Sequence, residues 1–287
     1  MNDTPRYSDR PKHSAALQSR LVFTRTATGE QTPRLLRTMA SVVVAQMLPG
    51  GAVKGGAAMN LRLGPDRSRF STDLDVSRPR AFAEDDFIAK LQENLTTGWS
   101  GFTGFVIKGK KKAPRDVPEQ YVMQPFAVQV IYAGKIISRV PLEISMDEIE
   151  STTVAVETID DDLVRLFTDI GLDAPLPCSV LSVEHQIAQK MHACTEVVRY
   201  NTNERAHDLV DIQLLYEDEE FNPIDLGAIA RRLFVLRKKG EWPPTVRELP
   251  EWSSLYAAAA EGLEVRDLAQ SIVWVNELIS SCAADTN

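Results

Sequence analysis

The sequence predicts an α+β protein with a bilobed arrangement. An N-terminal mixed α/β domain with a central mixed sheet, residues 1–165, is expected to precede a helical domain, residues 166–287. Two observations carry this prediction: the β-rich segments all precede residue 165, and four helical patterns follow it. The composition, 44% hydrophobic and 25% charged over 287 residues, is that of a globular protein long enough for two domains.

The elements of the first domain can be predicted in chain order. Residues 1–13 are polar and are expected to form a flexible, loosely attached arm, and helical periodicity then runs from about Ser14 to Gln46. The glycine pair Gly55-Gly56 is expected to start a short helix, and "RFSTDLDVS" to form a strand. "EDDFIAKLQENLTT" predicts another helix. "GFTGFVIKG", "PFAVQVIYAGK" and "ISRVPLEISMDE" predict strands, the last two joined by a hairpin turn at "AGK".

The second domain is predicted from four amphipathic segments separated by proline, asparagine and acidic loops. They are "SVEHQIAQKMHACTEVVR", "RAHDLVDIQLLYEDE", "DLGAIARRLFVLRKK" and "VRDLAQSIVWVNELISSC". We expect a cleft between the two domains, because ligand pockets commonly form at such junctions.

Cysteine usage and hydropathy indicate a cytoplasmic protein without a membrane segment. The three cysteines, Cys178, Cys194 and Cys282, are odd in number and widely spaced, which fits free thiols in a reducing compartment. No apolar run approaches the roughly 18 residues of a membrane-spanning helix. The polar N-terminus also lacks the apolar centre of a secretory signal.

Three carboxylates form a candidate metal site. Asp73 and Asp75 lie two apart in a predicted strand, so their side chains point to the same face and repel each other unless a cation lies between them. Mg²⁺ is the expected cation, with Mn²⁺ as an alternative, because it takes oxygen ligands and leaves room for phosphate oxygens. Glu143 lies between apolar residues of another strand; if the two strands are neighbours, three acids converge and could hold two metal ions.

The glycine pair Gly55-Gly56 is a candidate phosphate-binding turn. Its bare backbone can approach a phosphate closely, and the N-terminus of the following helix supplies N–H groups and the positive end of a dipole. A glycine pair before a helix can equally have a purely structural role. The spacing from this turn through a short helix to the D-x-D strand favours a nucleotide site.

Two basic patches are candidate nucleic-acid contacts in a chain whose net charge is −8. "KGKKKAPR" contains Lys110, Lys111 and Lys112, and "RRLFVLRKKGEW" contains Arg237 and Lys238. An acidic whole does not exclude RNA, because a local patch can supply the phosphate contacts. The alternative interpretation is a solvated loop and the polar face of a helix.

These motifs together resemble the DNA polymerase β-like nucleotidyltransferases, and "KGGAAMNLR…RFSTDLD" resembles most closely the AbiEii/MenT branch of bacterial toxins. That branch has a lysine–histidine–alanine helix followed by R-x-x-D-x-x-D. Similar features here are "AQKMHA" and "RAHDLVD", while "PLEIS" is similar to the third acidic motif of the family. The resemblance extends from about residue 50 to the tail "EWPPTVRELPEW…YAAAAEGL".

The resemblance implies roles for individual residues. Gly55, Gly56, Asp73, Asp75 and Glu143 would hold nucleotide and metal, and Lys190 would reach the triphosphate as a compact charge on a flexible stem. Asp208 or Asp211 would complete the site by orienting Lys190 or Arg205; being three apart on a helix they can share one face, and the sequence does not decide between them.

Ser71 is a candidate nucleotide contact and regulatory residue. It lies two residues before Asp73, so a phosphate on Ser71 would place negative charge beside the carboxylates and block both metal and triphosphate. The resemblance to toxins of this branch makes modification by a cognate antitoxin a hypothesis for this serine.

The resemblance implies a toxin of a bacterial toxin–antitoxin pair that transfers NMP, preferentially a pyrimidine nucleotide, from an NTP to the 3′ end of tRNA. Such extension would block aminoacylation and translation. Two alternatives remain at this stage. One is transfer to a small molecule or a protein hydroxyl, and the other is a non-catalytic nucleotide- or RNA-binding partner. The expected partners are tRNA and an antitoxin; a monomer is favoured, although the sequence leaves the oligomeric state open.

Overall fold

The computed structural model describes residues 7–25, 32–110, 124–196, 203–218, 221–238 and 240–284. Their contacts divide them into two compact units. The first unit contains the described residues up to Pro65, from Phe70 to Asp147 and from Ala155 to Val180. The second contains Asp66–Arg69, Glu148–Val154 and the described residues from Leu181 onward.

The first unit is built on a mixed sheet, which confirms the predicted fold class. In the described residues the sheet has seven strands in the order β3-β4-β5-β2-β1-β7-β6. The β2–β5 and β1–β7 pairs are parallel, and the other pairs are antiparallel. The strands are β1 (Ala52–Lys54), β2 (Leu74–Arg78), β3 (Phe102–Lys108), β4 (Phe126–Tyr132), β5 (Lys135–Met146), β6 (Val156–Thr158) and β7 (Cys178–Val180).

Five helices accompany this sheet in the described part of the first unit. They are α1 (Ser14–Arg25), α2 (Thr32–Ala45), α3 (Gly55–Leu63), α4 (Glu84–Thr97) and α5 (Asp161–Thr168). The continuous helical pattern predicted from Ser14 to Gln46 is thus found as α1 and α2, and residues 26–31 lie outside the described residues. The core joins Met39 and Val42 of α2 to Leu74, Val76 and Leu142 of the sheet.

The boundary between the units lies later in the chain than expected. Residue 165 falls inside α5, whose Phe167 packs edge-on against Trp99 with ring centroids 5.6 Å apart. The strand β7 then pairs with β1 through Val180 and Val53. The strand β7 has three residues, too few for a periodic signal. The helix α5 was not predicted although Leu163, Leu166 and Phe167 form an apolar face, and the division falls after Val180.

Residues 7–13 are not the loosely attached arm that their polarity predicted. The Tyr132 hydroxyl donates a hydrogen bond of 2.6 Å to the carbonyl of Pro11, which is buried. Arg10 forms an ion pair with Asp173 at 2.7 Å. Composition cannot reveal these long-range contacts, and residues 1–6 lie outside the described part.

The second unit is helical. The described helices are α6 (Val183–Thr195), α7 (His207–Asp218), α8 (Pro223–Arg237), α9 (Trp252–Ala260) and α10 (Leu268–Ala284), with a 3₁₀ turn at Ser151–Val154. Four of them confirm the predicted patterns, whereas α9 was not predicted as a helix. Its Tyr256 hydroxyl contacts Ser271 and Gln213 in a buried polar network. Within the described residues, no helix combines the length and apolarity needed to cross a membrane.

Candidate active site

Three charged residues lie side by side on adjacent strands of the first unit. Lys54 of β1 pairs in register with Asp75 of β2, and Asp75 pairs in register with Glu143 of β5. Residues paired across neighbouring strands point to the same face, so these side chains form one row. The predicted adjacency of the two acidic strands is therefore confirmed. Lys54 was not singled out from the sequence, although it directly precedes the glycine pair.

The other face of the same strands is apolar, which explains the alternation in the sequence. Leu74 and Val76 of β2 are buried, as are Leu142 and Ile144 of β5. Along each strand the buried residues alternate with the acidic ones, and this pattern fixes the register because a slip of one residue would bury the carboxylates. Asp75 is half-buried and Glu143 is exposed.

The start of α3 lies against the Asp75 carboxylate. Gly55 is the first residue of the helix and has φ of 63°, a left-handed conformation that glycine adopts without strain. A Cβ atom built on Gly55 would overlap Oδ2 of Asp75, so only glycine allows this approach. The N-cap residue, Lys54, provides no side-chain cap. The carboxylate row and the start of a helix, where N–H groups lack intrahelical partners, are therefore neighbours.

Asp73 lies immediately before β2 and is half-buried. Its carboxylate forms no ion pair within the described residues. Ser71 donates a hydrogen bond of 3.3 Å to the carbonyl of Asp73. Both residues line a small pocket, whose other polar residues are Thr38, Ser41 and Asn60. This pocket brings α2, a helix without a sequence-predicted role, to the side of Asp73.

The donor set of this region suits a hard cation. The described residues contain no group of three or more carboxylate, imidazole or thiol side chains close enough to hold a metal ion. Mg²⁺ does not require one, because it commonly takes one or two protein carboxylates together with substrate phosphates and water. Asp73 and Asp75 are the two candidate carboxylates. Glu143 lies beside Asp75 in the register, but the three acids do not form the close group that the sequence predicted. The metal-binding roles of these three residues remain predictions.

The second unit contains a buried charge cluster centred on Asp211. The Lys190 ammonium of α6 donates to Oδ2 of Asp211 at 2.5 Å and to Oδ1 of Asp208 at 3.3 Å. Arg69 Nε donates to both oxygens of Asp211 at 2.9 and 3.0 Å. The side chain of Asp211 is completely buried and that of Lys190 is 6% exposed. Two cations and two carboxylates therefore balance each other in this cluster.

The surroundings of Asp211 favour its charged form. Burial alone would raise the pKa of Asp211, but the charges of Lys190 and Arg69 and their hydrogen bonds lower it below its ordinary value. Burial also lowers the pKa of His207, and the nearby carboxylate of Asp208 only partly offsets this. The lowered pKa favours the neutral form of His207, and the ion pairs of Asp211 are those with Lys190 and Arg69.

The sequence left open whether Asp208 or Asp211 orients Lys190 or Arg205, and the contacts in the structure bear on this choice. Both acids contact Lys190, as expected for residues three apart on a helix. Arg205 is exposed, and its backbone carbonyl accepts a hydrogen bond from the Asp208 N–H. The arginine that binds Asp211 is instead Arg69, which was not assigned a role from the sequence. Arg69 is nevertheless the first residue of "RFSTDLD", the stretch that carries Asp73 and Asp75.

The predicted RNA contacts have varied surroundings. Lys110 is exposed, whereas Lys111 and Lys112 lie outside the described residues. Arg237 forms a two-pronged ion pair with Glu148, with distances of 2.9 and 2.6 Å. Lys238 is exposed at the C-terminal end of α8 in a left-handed conformation. The role of each in binding RNA remains a prediction.

The sequence match that decides the family covers most of both units. A family model described as "Nucleotidyl transferase AbiEii toxin, Type IV TA system" matches residues 34–272. The chain belongs to the AbiEii nucleotidyltransferase toxin family. The resemblance inferred from the motifs is thereby confirmed, and AbiEii membership supports a nucleotidyl-transfer enzyme that acts as a toxin with an antitoxin partner.

Two solved structures were compared with the chain, and the fold of the first is similar to it. MenT4, a nucleotidyltransferase toxin from Mycobacterium tuberculosis H37Rv, is similar with a TM-score of 0.50 and 16% sequence identity, over 94% of this chain and 99% of that chain. An antigenic nucleotidyltransferase-like protein from Paracoccidioides brasiliensis is 16% identical over 96% and 94% of the two chains, with a TM-score of 0.38. No curated protein matches the sequence significantly.

Proposed function

We propose that this AbiEii-family chain is a Mg²⁺-dependent toxin that transfers NMP, preferably from a pyrimidine NTP, to the 3′ end of tRNA. The extended tRNA could not be aminoacylated, and translation in the cytoplasm would stop. The observation that carries the proposal is the row of Asp75 and Glu143 on adjacent strands, with Asp73 before the row and the start of α3 against it.

The residues of the first unit suit an NTP held by its phosphates. The N–H groups at the start of α3 can donate to phosphate oxygens, and Gly55 allows a close approach of the backbone. Asp73 and Asp75 would bind Mg²⁺ (or Mn²⁺), with Glu143 beside them; the metal, when bound, neutralises developing negative charge on the phosphoryl group. Most of the rate enhancement would then come from positioning and electrostatics.

The proposed role of Lys190 is to contact the triphosphate, with Asp208 and Asp211 as positioning residues. Their hydrogen bonds to the ammonium support this role, because they hold a flexible side chain in one place. Arg69 holds Asp211 from its other side. Arg205 is proposed as a further phosphate contact because it is exposed and carries a permanent charge.

A transfer assay tests the proposal. The wild-type protein and Asp73→Ala are each incubated with total tRNA, Mg²⁺ and one α-labelled NTP at a time. Label in tRNA with wild type only, strongest with CTP or UTP, is the expected result. Label in a protein or small molecule from a cell extract, with none in RNA, would keep the nucleotidyl-transfer chemistry and reject tRNA as the acceptor.

Antitoxin control can be tested at Ser71, which lines the same pocket as Asp73. If the antitoxin acts by modifying this hydroxyl, Ser71→Ala should stay active in the presence of the antitoxin. Continued inhibition of Ser71→Ala would exclude modification at this position.

A further inference from the structure

One face of α2 carries a row of polar residues beside Asp73. Arg34, Arg37, Thr38 and Ser41 follow the spacing i, i+3, i+4, i+7 and therefore share one face of the helix. Thr38 and Ser41 line the same pocket as Ser71 and Asp73. We call these four residues the α2 stripe. Nothing in the sequence motifs pointed to it, because it lies before the glycine pair.

Phe70 connects the α2 stripe to the chain segment that contains Asp73. The guanidinium carbon of Arg34 lies 5.2 Å from the centroid of the Phe70 ring, and that of Arg37 lies 5.9 Å from it. Both distances are within the range of cation–π attraction. Arg34 also donates a hydrogen bond of 3.4 Å to the carbonyl of Pro65. The two guanidinium groups are therefore held close to the residues that precede β2.

Arg37 has the properties of a cation available to a ligand. Its side chain is exposed, and it forms no ion pair within the described residues. By contrast, Arg20 of α1 donates to the Ile170 carbonyl and contacts Asp9. The planar guanidinium of an arginine matches the geometry of a phosphodiester, because it can donate two parallel hydrogen bonds to the phosphate oxygens.

The positions of Gly55 and Asp73 indicate which substrate the α2 stripe faces. In an in-line displacement the attacking hydroxyl and the leaving pyrophosphate lie on opposite sides of the phosphorus. In the proposed function the triphosphate binds at the start of α3, where Gly55 contacts Asp75. The pocket that Thr38 and Ser41 line is instead lined by Asp73 and by later residues of α3 (Ala57, Asn60 and Leu61), and not by Gly55 or Asp75. The incoming acceptor therefore belongs on the Asp73 side.

We infer that the α2 stripe binds the acceptor end of the RNA, with Arg37 and Arg34 on phosphates of its last nucleotides. Ser41, which is half-buried, then provides a hydroxyl group toward the terminal sugar or base, and the buried Thr38 lines the pocket beside Asp73. This inference rests on the proposed function for the class of acceptor, and it adds α2 as the element that positions that acceptor. It assigns no bond-making step to the arginines, which act as positioning residues.

The test measures RNA binding without NTP, so that no transfer occurs. The protein variants are wild type, Arg37→Ala and Arg37→Lys, with Lys135→Ala as the matched control. Lys135 is also an exposed cation of the first unit, but it lies at the hairpin end of β5, eight residues from Glu143. The probes are total tRNA and the same tRNA after exonuclease removal of its 3′-terminal nucleotides.

Arg37→Ala is expected to weaken binding of intact tRNA about tenfold or more, since a charge-assisted hydrogen bond to phosphate is lost. The slope of log K against log salt should fall by about 0.7 for the single-strand phosphate contact. Wild type should bind trimmed tRNA at least as weakly as Arg37→Ala binds intact tRNA, because trimming also removes the contacts of Arg34 and of the Ser41 hydroxyl group. On trimmed tRNA, Arg37→Ala should cause no further loss of affinity. Arg37→Lys should keep the salt slope, and Lys135→Ala should resemble wild type.

Several outcomes would overturn the inference. The first is that Arg37→Ala binds tRNA as tightly as wild type does. The second is that Arg37→Ala loses the same affinity on intact and on trimmed tRNA. The third is that wild type binds no RNA. If Arg37→Ala binds NTP more weakly than wild type but binds RNA equally well, the α2 stripe belongs to the nucleotide site instead. If wild type labels tRNA while Arg37→Ala binds it normally, only this inference fails. If wild type binds tRNA as expected but transfers nothing to it, only the proposed acceptor fails.

Discussion

The two units use acidic residues in opposite ways. In the first unit the Asp73 carboxylate is half-buried, without an ion pair in the described residues, and Glu143 is exposed. In the second unit Asp211 is fully buried and binds two cations, Lys190 and Arg69. An accessible carboxylate can bind an external cation, whereas a buried one must be neutralised by the protein itself. The same residue type thus suggests ligand binding in one unit and internal positioning in the other.

This comparison predicts opposite consequences for removal of a charge. Neutralising an acid of the first unit removes a proposed ligand for substrate or metal and relieves repulsion, so the fold should be retained. Neutralising the central acid of the second unit leaves two cations near each other with a single remaining carboxylate. Breaking a buried pair in this way is strongly destabilising.

The largest expected effect is on activity, for Asp73→Asn. The substitution keeps the shape of the side chain but removes a proposed metal ligand, so the transfer rate should fall at least about 10³-fold, the scale of several kcal/mol that a metal ion contributes. The midpoint of thermal unfolding should stay within a few degrees of wild type. Initial rates of label transfer and a thermal scan measure the two quantities. Wild-type activity in Asp73→Asn would show that this acid is not in the catalytic site.

The next largest effect is on stability, for Asp211→Asn. It should lower the free energy of unfolding by about 3–5 kcal/mol, because Lys190 and Arg69 lose their common partner in a buried environment. Denaturant titration measures the change.

Asp218→Asn is the matched control on the same helix. Asp218 pairs with Arg67 at 2.6 Å, and the two side chains are 32% and 57% exposed. Such a surface pair contributes about 0–1 kcal/mol, so Asp218→Asn should be nearly as stable as wild type. Equal effects of the two substitutions would contradict the distinction between a buried cluster and a surface pair.

A smaller effect is expected for Gly55→Ala. The new Cβ would overlap Oδ2 of Asp75, and φ of 63° is unfavourable for alanine. We expect a loss of about 1–3 kcal/mol in stability, the usual range for backbone strain at one residue. Transfer should also slow, because the Asp75 carboxylate must shift. Gly134→Ala is the control, since its φ is 75° but a Cβ there would meet nothing within 4 Å. A fully active Gly55→Ala would contradict the proposed contact.

The smallest expected effect is the pH dependence that Asp211 contributes. Its pKa is lower in the folded than in the unfolded protein, so its stabilisation is present above the unfolded pKa, near 4 as a rough value, and is lost as pH falls through the folded pKa. The stability difference between wild type and Asp211→Asn should therefore shrink as pH falls below about 4. Denaturant titrations at several pH values measure it, and a constant difference would contradict the lowered pKa.

Much of the fold was predictable because its elements have strong periodic patterns. The helix α4 has the bounds that "EDDFIAKLQENLTT" indicated, and the β4–β5 hairpin turns at Ala133 and Gly134, where "AGK" predicted a turn. The acidic row was predictable because Leu74, Val76 and Leu142 alternate with the acids. The elements missed, such as β1 and β7, have three residues each, too few for a periodic signal.

The unpredicted parts of the candidate site depend on contacts between residues far apart in the chain. Arg69 and Asp211 are 142 positions apart, and no local pattern identifies such a partner. The α2 stripe is likewise defined by the contacts of Arg34 and Arg37 with Phe70, which no local pattern predicts. Sequence motifs therefore indicated the chemistry of the site, whereas the residues that position its groups required three-dimensional contacts.

The most direct test of the central claim is calorimetric titration of a non-reactive NTP analogue into wild type and Asp73→Asn, with and without Mg²⁺. The account predicts that wild type binds the analogue tightly only with Mg²⁺, and that Asp73→Asn loses this dependence on metal. Metal-independent binding by wild type, or unchanged Mg²⁺-dependent binding by Asp73→Asn, would contradict the assignment of the first unit's acids to metal and nucleotide.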